Sequence, residues 1–514
     1  MAAKPAASGA MQKIVAKRVE NMEAASAAAK AAQATPVVAQ AKPIAPLAKP
    51  VSTRAKPIAL TVSAPNQFGP VKTHGFTFTH QALDDTLHNT MQKFTLSPIH
   101  VSYANTLRRI ILTGIDTVAF RSDMTSTGTT TDVLIEQNDT PMTNEMLADR
   151  IGLLPLYIEN PLIWKKDELV FSLDVTGNTD DMTYVTASDF KIMRRLPIAT
   201  EEVKDGEPTF NEIQIATNDI FRADPVTKQT ALIAMLTPAT PPQRIRLIAY
   251  ASKGTGREHA RFSPVSQCSY EYSLDTNPER QEKMFTDWLL VAKKISGLGK
   301  DMPEYAKLQR EFNTMQIKRC YLVNEKQEPY SFDFTVETAG PLPIHYIMNQ
   351  ACEAGANMLN KFTNMHVSVP ETVTISMAAS RIIGFDFLIR GHDHTLGNLL
   401  QTWLVEHHIE GGDRPHITYA GYSVPHPLRD EMILRIGVAD GNEDTARLAI
   451  ATAARGCENM FRELRQAWNN SSSSSIPSRM GTALRRASAN VAAAMKETPS
   501  GRPLEQVNIT KLDA

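Results

Sequence analysis

The chain's hydrophobic pattern is most regular near its C-terminal end. Phe385, Phe387 and Ile389 place apolar side chains at every second position, which predicts a half-buried strand. Asp393 and Thr395 follow, each with a short side-chain oxygen that can accept from an unpaired amide of a helix's first turn. Leu396, Leu399, Leu400, Trp403 and Leu404 then recur at helical spacing on one face. Beyond Gly411-Gly412, two more strands are predicted over Ile417–Val424 and Met432–Val438. Between them the rings of Pro425 and Pro427 restrict φ and remove two backbone donors. A helix from about Glu443 to Trp468 carries Leu448, Thr452, Met460, Leu464 and Trp468 along one side. Strand, helix, two strands and helix make a small α+β unit.

The same plan occurs earlier, interrupted. Lys93–Leu96 reads as a strand. Tyr103, Leu107, Ile110 and Ile111 form one helical face, with Ser102 as the expected cap. Further strands are predicted at Thr117–Phe120 and Asp132–Ile135, then a helix from Thr143 that Gly152 and Pro155 terminate. Leu169–Val175 and Arg244–Ala251 are strand-like, separated by polar, proline-punctuated sequence. Ser331–Gly340 alternates again. Ile344, Ile347, Met348, Ala351, Met358, Leu359 and Phe362 then repeat at spacings of three and four, giving a helix with one apolar seam. Pro278–Arg319 is helical and charged, and no role is assigned to it.

Two similar units, the first one split, predict an α+β chain whose halves pair about a pseudo-twofold axis inside one polypeptide. The expected boundaries are a basic tail at 1–65, first-unit segments at 66–158 and 329–365, an insert domain at 159–328, a linker at 366–384, the second unit at 385–468 and a tail at 469–514. Leu107, Ile110, Ile347, Met348, Ala351 and Leu359 are expected to share one core with Leu396, Leu399, Trp403, Met460 and Leu464.

Composition narrows the function. With 514 residues there is room for two to three domains, and a formal net charge of −1 gives no overall basic excess for nucleic acid. The first 65 or so residues are rich in Ala, Pro and Lys with little large apolar surface. They read as a disordered basic tail with at most a weak attraction to nucleic acid. A serine-rich linker at 469–475 and a short basic helix at 482–496 are expected at the other end. No apolar run approaches membrane-spanning length, and no charged-then-apolar leader is read at the N-terminus. Cys268, Cys320, Cys352 and Cys457 are scattered without a CxxC pair, which fits free thiols in a reducing compartment and no cysteine zinc site. No cofactor is expected.

Three sites of candidate chemistry remain. Gly254 and Gly256 could begin a phosphate loop, but His259 stands where a third glycine would be and no clear helix follows. His392, His394, His407, His408, His416 and His426 could bind metal only with convergent geometry and supporting partners. No cluster of aspartates suited to two-metal nucleotidyl transfer is visible, so the chain alone is not expected to be an enzyme.

The stretches HDHTLGNLL (392–400) and YAGYSVPHPL (419–428) closely resemble the small alpha-like subunit of DNA-directed RNA polymerases, the eleventh subunit of eukaryotic polymerase II and the archaeal L subunit. ANTLRRI (104–110), NDTPMTNEMLADRIGLLPL (138–156) and KGTGREHARFSP (253–264) resemble the large alpha-like partner, the third subunit and the archaeal D subunit. That family has Asp where this chain has Asn144, His at Asp149, Lys at Arg261 and often Trp at Phe262. The resemblance implies a fusion of both alpha-like subunits, as in large DNA viruses, acting as the platform that recruits the second-largest and then the largest subunit. It implies that Asn105, Arg108, Arg109, Gly254, Gly256, His259 and Phe262 contact other subunits, small ones included. DNA and RNA would be reached only through the assembled complex. A cysteine-rich metal loop of some relatives is not expected, since no cysteine lies between Leu156 and Tyr250. Host cytoplasm and virion, or the nucleus, are the implied locations. The alternative is a regulator that mimics these subunits to capture a host enzyme.

Overall fold

A computed structural model describes residues 74–473 except 82–89, 126–129, 159, 198–209, 225 and 379–380. The basic segment 1–65 and the helix expected at 482–496 lie outside these residues.

The first part of the chain forms β1 (Thr77–His80), β2 (Met91–Ser97), α1 (Val101–Thr113), β3 (Asp116–Ala119), β4 (Val133–Asn138) and α2 (Asn144–Gly152). Then come β5 (Leu169–Thr176), β6 (Thr183–Thr186), β7 (Lys191–Pro197), β8 (Phe210–Ile215), β9 (Leu232–Leu236), β10 (Arg244–Ala249) and β11 (Ser252–Thr255). β12 (Val265–Tyr272), α3 (Pro278–Trp288), α4 (Pro303–Met315), β13 (Phe332–Thr338) and α5 (Ile344–Asn360) follow. The last part holds β14 (Val373–Met377), β15 (Gly384–Arg390), α6 (His394–Leu404), β16 (Tyr419–Ser423), β17 (Glu431–Gly437) and α7 (Glu443–Ser473).

Two antiparallel four-stranded sheets have the same topology. The first runs β1-β2-β13-β12 and the second β14-β15-β17-β16. In each, an edge strand is followed by a central strand and a helix (α1 or α6). The other edge strand, the second central strand and a long helix (α5 or α7) complete the unit. The two long helices pack on each other, α1 packs on α6, and α6 packs on α7. One continuous apolar core contains both sheets' inner faces and all four helices. The alternation seen in the sequence is what produces this: Phe332, Phe334 and Val336 of β13, and Met432, Leu434 and Ile436 of β17, all point inward. The predicted intramolecular pairing of two α+β units is therefore the observed fold.

The boundaries differ from those read in the sequence. β4 and α2, expected in the first unit, belong to the insertion. β4 is an edge of the sheet β4-β10-β5-β7-β8, and Val133, Leu147 and Ile151 lie in that sheet's separate core. β12, expected inside an insert at 159–328, is an edge strand of the first unit, paired with β13 through Tyr270↔Phe334 and Tyr272↔Phe332. Strand periodicity says which face is buried but not which sheet a strand joins, because the pairing is non-local. The insertion thus departs after α1 and returns at β12. A second excursion, the α3–α4 hairpin, leaves between β12 and β13 around its own small core of Phe285, Leu289, Leu308 and Phe312. The expected linker at 366–384 contains β14, which pairs with β15. The expected serine-rich linker begins too early at Asn469, since α7 continues to Ser473. Ser102 is not the α1 cap; His100 is, its Nδ1 accepting from the Ser102 amide at 3.1 Å. Among the described residues no helix is long and apolar enough to cross a membrane.

A core shared across both units should hold without a covalent link. A protease site inserted between the exposed residues Val367 and Ser368 should leave the two halves co-eluting after cleavage. Trp403→Asp removes a large apolar group and puts an unpaired charge in the seam, at a cost of about 3–5 kcal/mol. The cleaved variant should separate or aggregate in size-exclusion chromatography. Free separation of the cut wild-type halves as stable monomers would refute the shared core.

Candidate assembly interface

The seam is built from helix faces set by the sequence's own spacing. Leu107 and Ile110 of α1, Ile347, Met348, Ala351 and Leu359 of α5, Leu396, Leu399 and Trp403 of α6, and Met460 and Leu464 of α7 are all buried in the one cluster. Trp403 is reached closely by α7: a Cβ on Gly456 would overlap its indole ring. On its other face the His407 imidazole stacks at 4.0 Å between ring centroids. At the far end, Trp468 of α7 is 1% exposed and packs edge-on against Phe78 and Phe94 of the first sheet. The second unit's last helix therefore closes the first unit's core.

Polar contacts rim this seam. Asp393 caps α6, one carboxylate oxygen accepting from the Thr395 amide at 2.8 Å, while its other oxygen accepts from Arg109 at 3.1 Å. Arg109 Nε also donates to the Thr395 hydroxyl at 2.7 Å. Burial would raise the Asp393 pKa, but the Thr395 hydrogen bonds and the cations Arg109 and Arg257 outweigh it and hold the carboxyl below its ordinary value. Asn398 Nδ2 donates to Ser102 Oγ at 3.2 Å, and the Tyr103 hydroxyl donates to Glu406. Arg465 pairs with Glu353 between the long helices, and Arg447 Nε donates to the Met365 carbonyl at 3.1 Å.

The residues expected to meet other subunits divide into two groups. Asn105 and Arg108 line an open groove with Cys268–Tyr272 and Lys318. Arg109 is engaged by Asp393 and Thr395 within the chain, with its side chain 38% exposed. The Lys253–Pro264 loop is divided: Gly254, Phe262 and Pro264 are buried, while Lys253, Arg257, Glu258, His259 and Ala260 are exposed. Phe262 is fully buried, under the Arg121 guanidinium at 5.1 Å and with its carbonyl accepting from Thr117 Oγ1 at 2.7 Å. Gly254 is small because a Cβ there would lie 2.8 Å from the Phe262 ring, and Gly256 because a Cβ would collide with the Leu112 carbonyl. His259 caps a short helical turn, accepting from the Arg261 amide at 3.2 Å. The loop's glycines thus serve close packing, and no phosphate-loop helix follows them. Arg121 binds Glu258, whose carboxyl that hydrogen bond holds below its usual range.

The sequence reading missed Arg257, which donates to the Gly391 carbonyl at 3.2 Å and pairs with Asp430, tying the first unit to the second. A lone arginine in a loop gives no periodic signal that could have found it. The histidines take separate surroundings: His392 against the Phe362 ring, His394 at 3.3 Å from the Tyr422 hydroxyl, His408 at 2.9 Å from the Pro415 carbonyl, and His426 accepting from the Leu428 amide. Among the described residues no group of three or more His, Cys, Asp or Glu side chains is placed to hold a metal.

What this geometry defines is a paired α+β module: two topologically equal units sharing one apolar seam, rimmed by charge, with an insertion on one of them. The family model of the RNA polymerase Rpb3/Rpb11 dimerisation domain matches residues 93–357, and a second model of the same description matches 385–467. The chain belongs to this family. It is similar to subunit 3 of DNA-directed RNA polymerases II, IV and V of Arabidopsis thaliana, 27% identical over 36% of this chain and 54% of that protein. Subunit RPAC1 of RNA polymerases I and III of Saccharomyces cerevisiae is 30% identical over 34% of this chain and 52% of its own length. Subunit Rpo3 of Thermococcus kodakarensis is 25% identical over 53% and 92% respectively. The chain thus spans about half the length of the first two of these relatives.

Two histidines that the fold covers give the module a pH dependence. Burial depresses His392 and His408, so these rings protonate less readily in the folded protein than in the unfolded chain. The folded state then binds fewer protons below the ordinary histidine value of about 6.5. Stability is full above that pH and falls as pH drops through it towards the lower folded-state values. The urea midpoint should decline between pH 7.5 and pH 5.5. His408→Asn, which can still donate to Pro415, should decline less; equal slopes would exclude His408 as a contributor.

Proposed function

We propose that the chain is the alpha-like assembly platform of a multisubunit DNA-directed RNA polymerase, with both alpha-like units fused in one polypeptide. The observation that carries the reading is the pair of like topologies sharing one core, each unit overlapping a match to the same family. The relatives' names, all subunits of DNA-directed RNA polymerases, supply the complex. In this reading the chain performs no chemistry itself. It recruits the second-largest subunit, then the largest, with small subunits joining, and meets DNA and RNA only through them. Fusion replaces association of two separate chains by an intramolecular one, with an effective concentration of around millimolar for a short connection. The fusion also motivates a large DNA virus as the source, with transcription in host cytoplasm and the protein in the virion.

Affinity purification of the tagged full chain from its producing cells tests this. The second-largest and largest polymerase subunits encoded by the same genome should co-purify in a one-to-one ratio, and particles should contain the chain. Exclusive recovery of another organism's polymerase would favour a mimic that captures a host enzyme. Purification without any polymerase subunit, or template-dependent synthesis by the isolated chain, would overturn the platform reading.

A further inference from the structure

The pseudo-twofold plan lets equivalent positions of the two units be compared, and one comparison is asymmetric. Asn105 and Asn398 each lie five residues after the cap of their helix (His100 and Asp393), and Arg108 and Gln401 each lie eight after it. In the second unit Gln401 closes the sheet edge: its Oε1 accepts from the Tyr422 amide of edge strand β16 at 3.1 Å. The Tyr422 ring also lies against Gly397 of α6. In the first unit the equivalent strand is β12, which among the described residues pairs as a strand with β13 alone. Alternate backbone amides and carbonyls along β12 therefore face away from the sheet.

Arg108 cannot do what Gln401 does, because a guanidinium has donors and no acceptor for a backbone N–H. Its Nε donates to Asn105 Oδ1 at 3.0 Å, and its side chain lines a groove of about 640 Å³ together with Asn105, Cys268–Tyr272 and Lys318. Lys318 is neutralised there by Glu271 at 2.7 Å. The groove's charge is therefore one uncompensated cation beside an open strand edge, flanked by Tyr270 and the 41%-exposed Tyr272.

We propose that β12 accepts an extended segment of a partner polypeptide as an added antiparallel or parallel strand, with a carboxylate side chain of that segment held by Arg108. Main-chain pairing supplies affinity in such strand addition, and the side-chain contact supplies selection. A planar guanidinium is suited to a carboxylate because it can offer two parallel donors. The inference rests on reading the chain as an assembly platform only for the partner's origin; the site itself rests on the strand edge and Arg108.

The test uses the full chain and blocked heptapeptides of alternating Thr and Val carrying either Glu or Lys at the centre. Hydrogen exchange read by mass spectrometry over Val265–Tyr272 is the readout. At a peptide concentration ten times its Kd, covered amides should exchange about tenfold more slowly. The Glu peptide should protect this strand and the Lys peptide should not. Arg108→Gln should abolish protection, since its carboxamide can close the edge as Gln401 does. Arg108→Glu should reverse the preference, so that the Lys peptide now protects, a gain that a misfolded variant could not give. No protection at millimolar peptide, equal protection by both peptides, or no reversal with Arg108→Glu would overturn the inference. Positive peptide results with no polymerase subunit co-purifying would instead sink the platform reading and leave this site standing.

Discussion

The seam between α5 and α7 is the constraint from which the rest follows. The first four-stranded sheet is covered partly by α7, a helix of the second unit, and both sheets' inner faces share one core. Trp468 of the second unit fills the space beside Phe78 and Phe94 of the first, and Trp403 is clamped between α7 and the His407 ring. Neither unit has a complete core alone. An interface of this kind behaves as a domain core divided between two partners, and joining the partners covalently removes the loss of translational freedom that separate chains incur on association. The charged rim adds direction more than strength. Arg109–Asp393 is more than a third exposed on both sides, where an ion pair contributes little net stability, but its geometry permits one register of α1 against the α6 terminus.

That rim changes the meaning of the arginine pair. Adjacent positions on a helix point about 100° apart, so Arg108 and Arg109 must take different partners. Arg109 looks into the chain and braces the α6 cap; Arg108 looks out over β12. Of the pair, Arg109 is bound to the second unit and Arg108 is not. The Lys253–Pro264 loop follows the same logic: its glycines and Phe262 are consumed by packing on α1 and β3, while Arg257, on its exposed stretch, ends on the second unit.

Most of the paired units was legible in the sequence because their signals are local. Alternation gave β13 and β15, and spacing of three and four gave α5, α6 and α7, since a helix face or strand face is determined by residues a few positions away. What could not be read is what depends on distant partners. β4 carries an ordinary half-buried pattern that suits either sheet, and β12 likewise. Only the pairing with β10 in one case and β13 in the other decides membership. The seam residues were legible for the same reason as their helices. Arg257 and the inward turn of Phe262 were not, because a loop side chain's direction is fixed by whatever it meets after the chain has folded.

Pseudo-symmetry accounts for how such a module can be directional. Two units with one topology would offer two equivalent faces, and an assembly built on them would have no preferred side. Three matched positions of α1 and α6 break that equivalence, one by its contacts and two by a different residue. Asn105 and Asn398 are the same residue, but Asn398 reaches across to Ser102 while Asn105 turns to Arg108. Arg109 stands where α6 has Thr402, so the ion pair runs from the first unit to the second and not back. Arg108 stands where α6 has Gln401, so one sheet edge is closed by its own helix while the other lies beside a side chain that has donors and no acceptor. The chain thereby acquires one protected edge and one receptive edge, although its backbone plan treats the two alike.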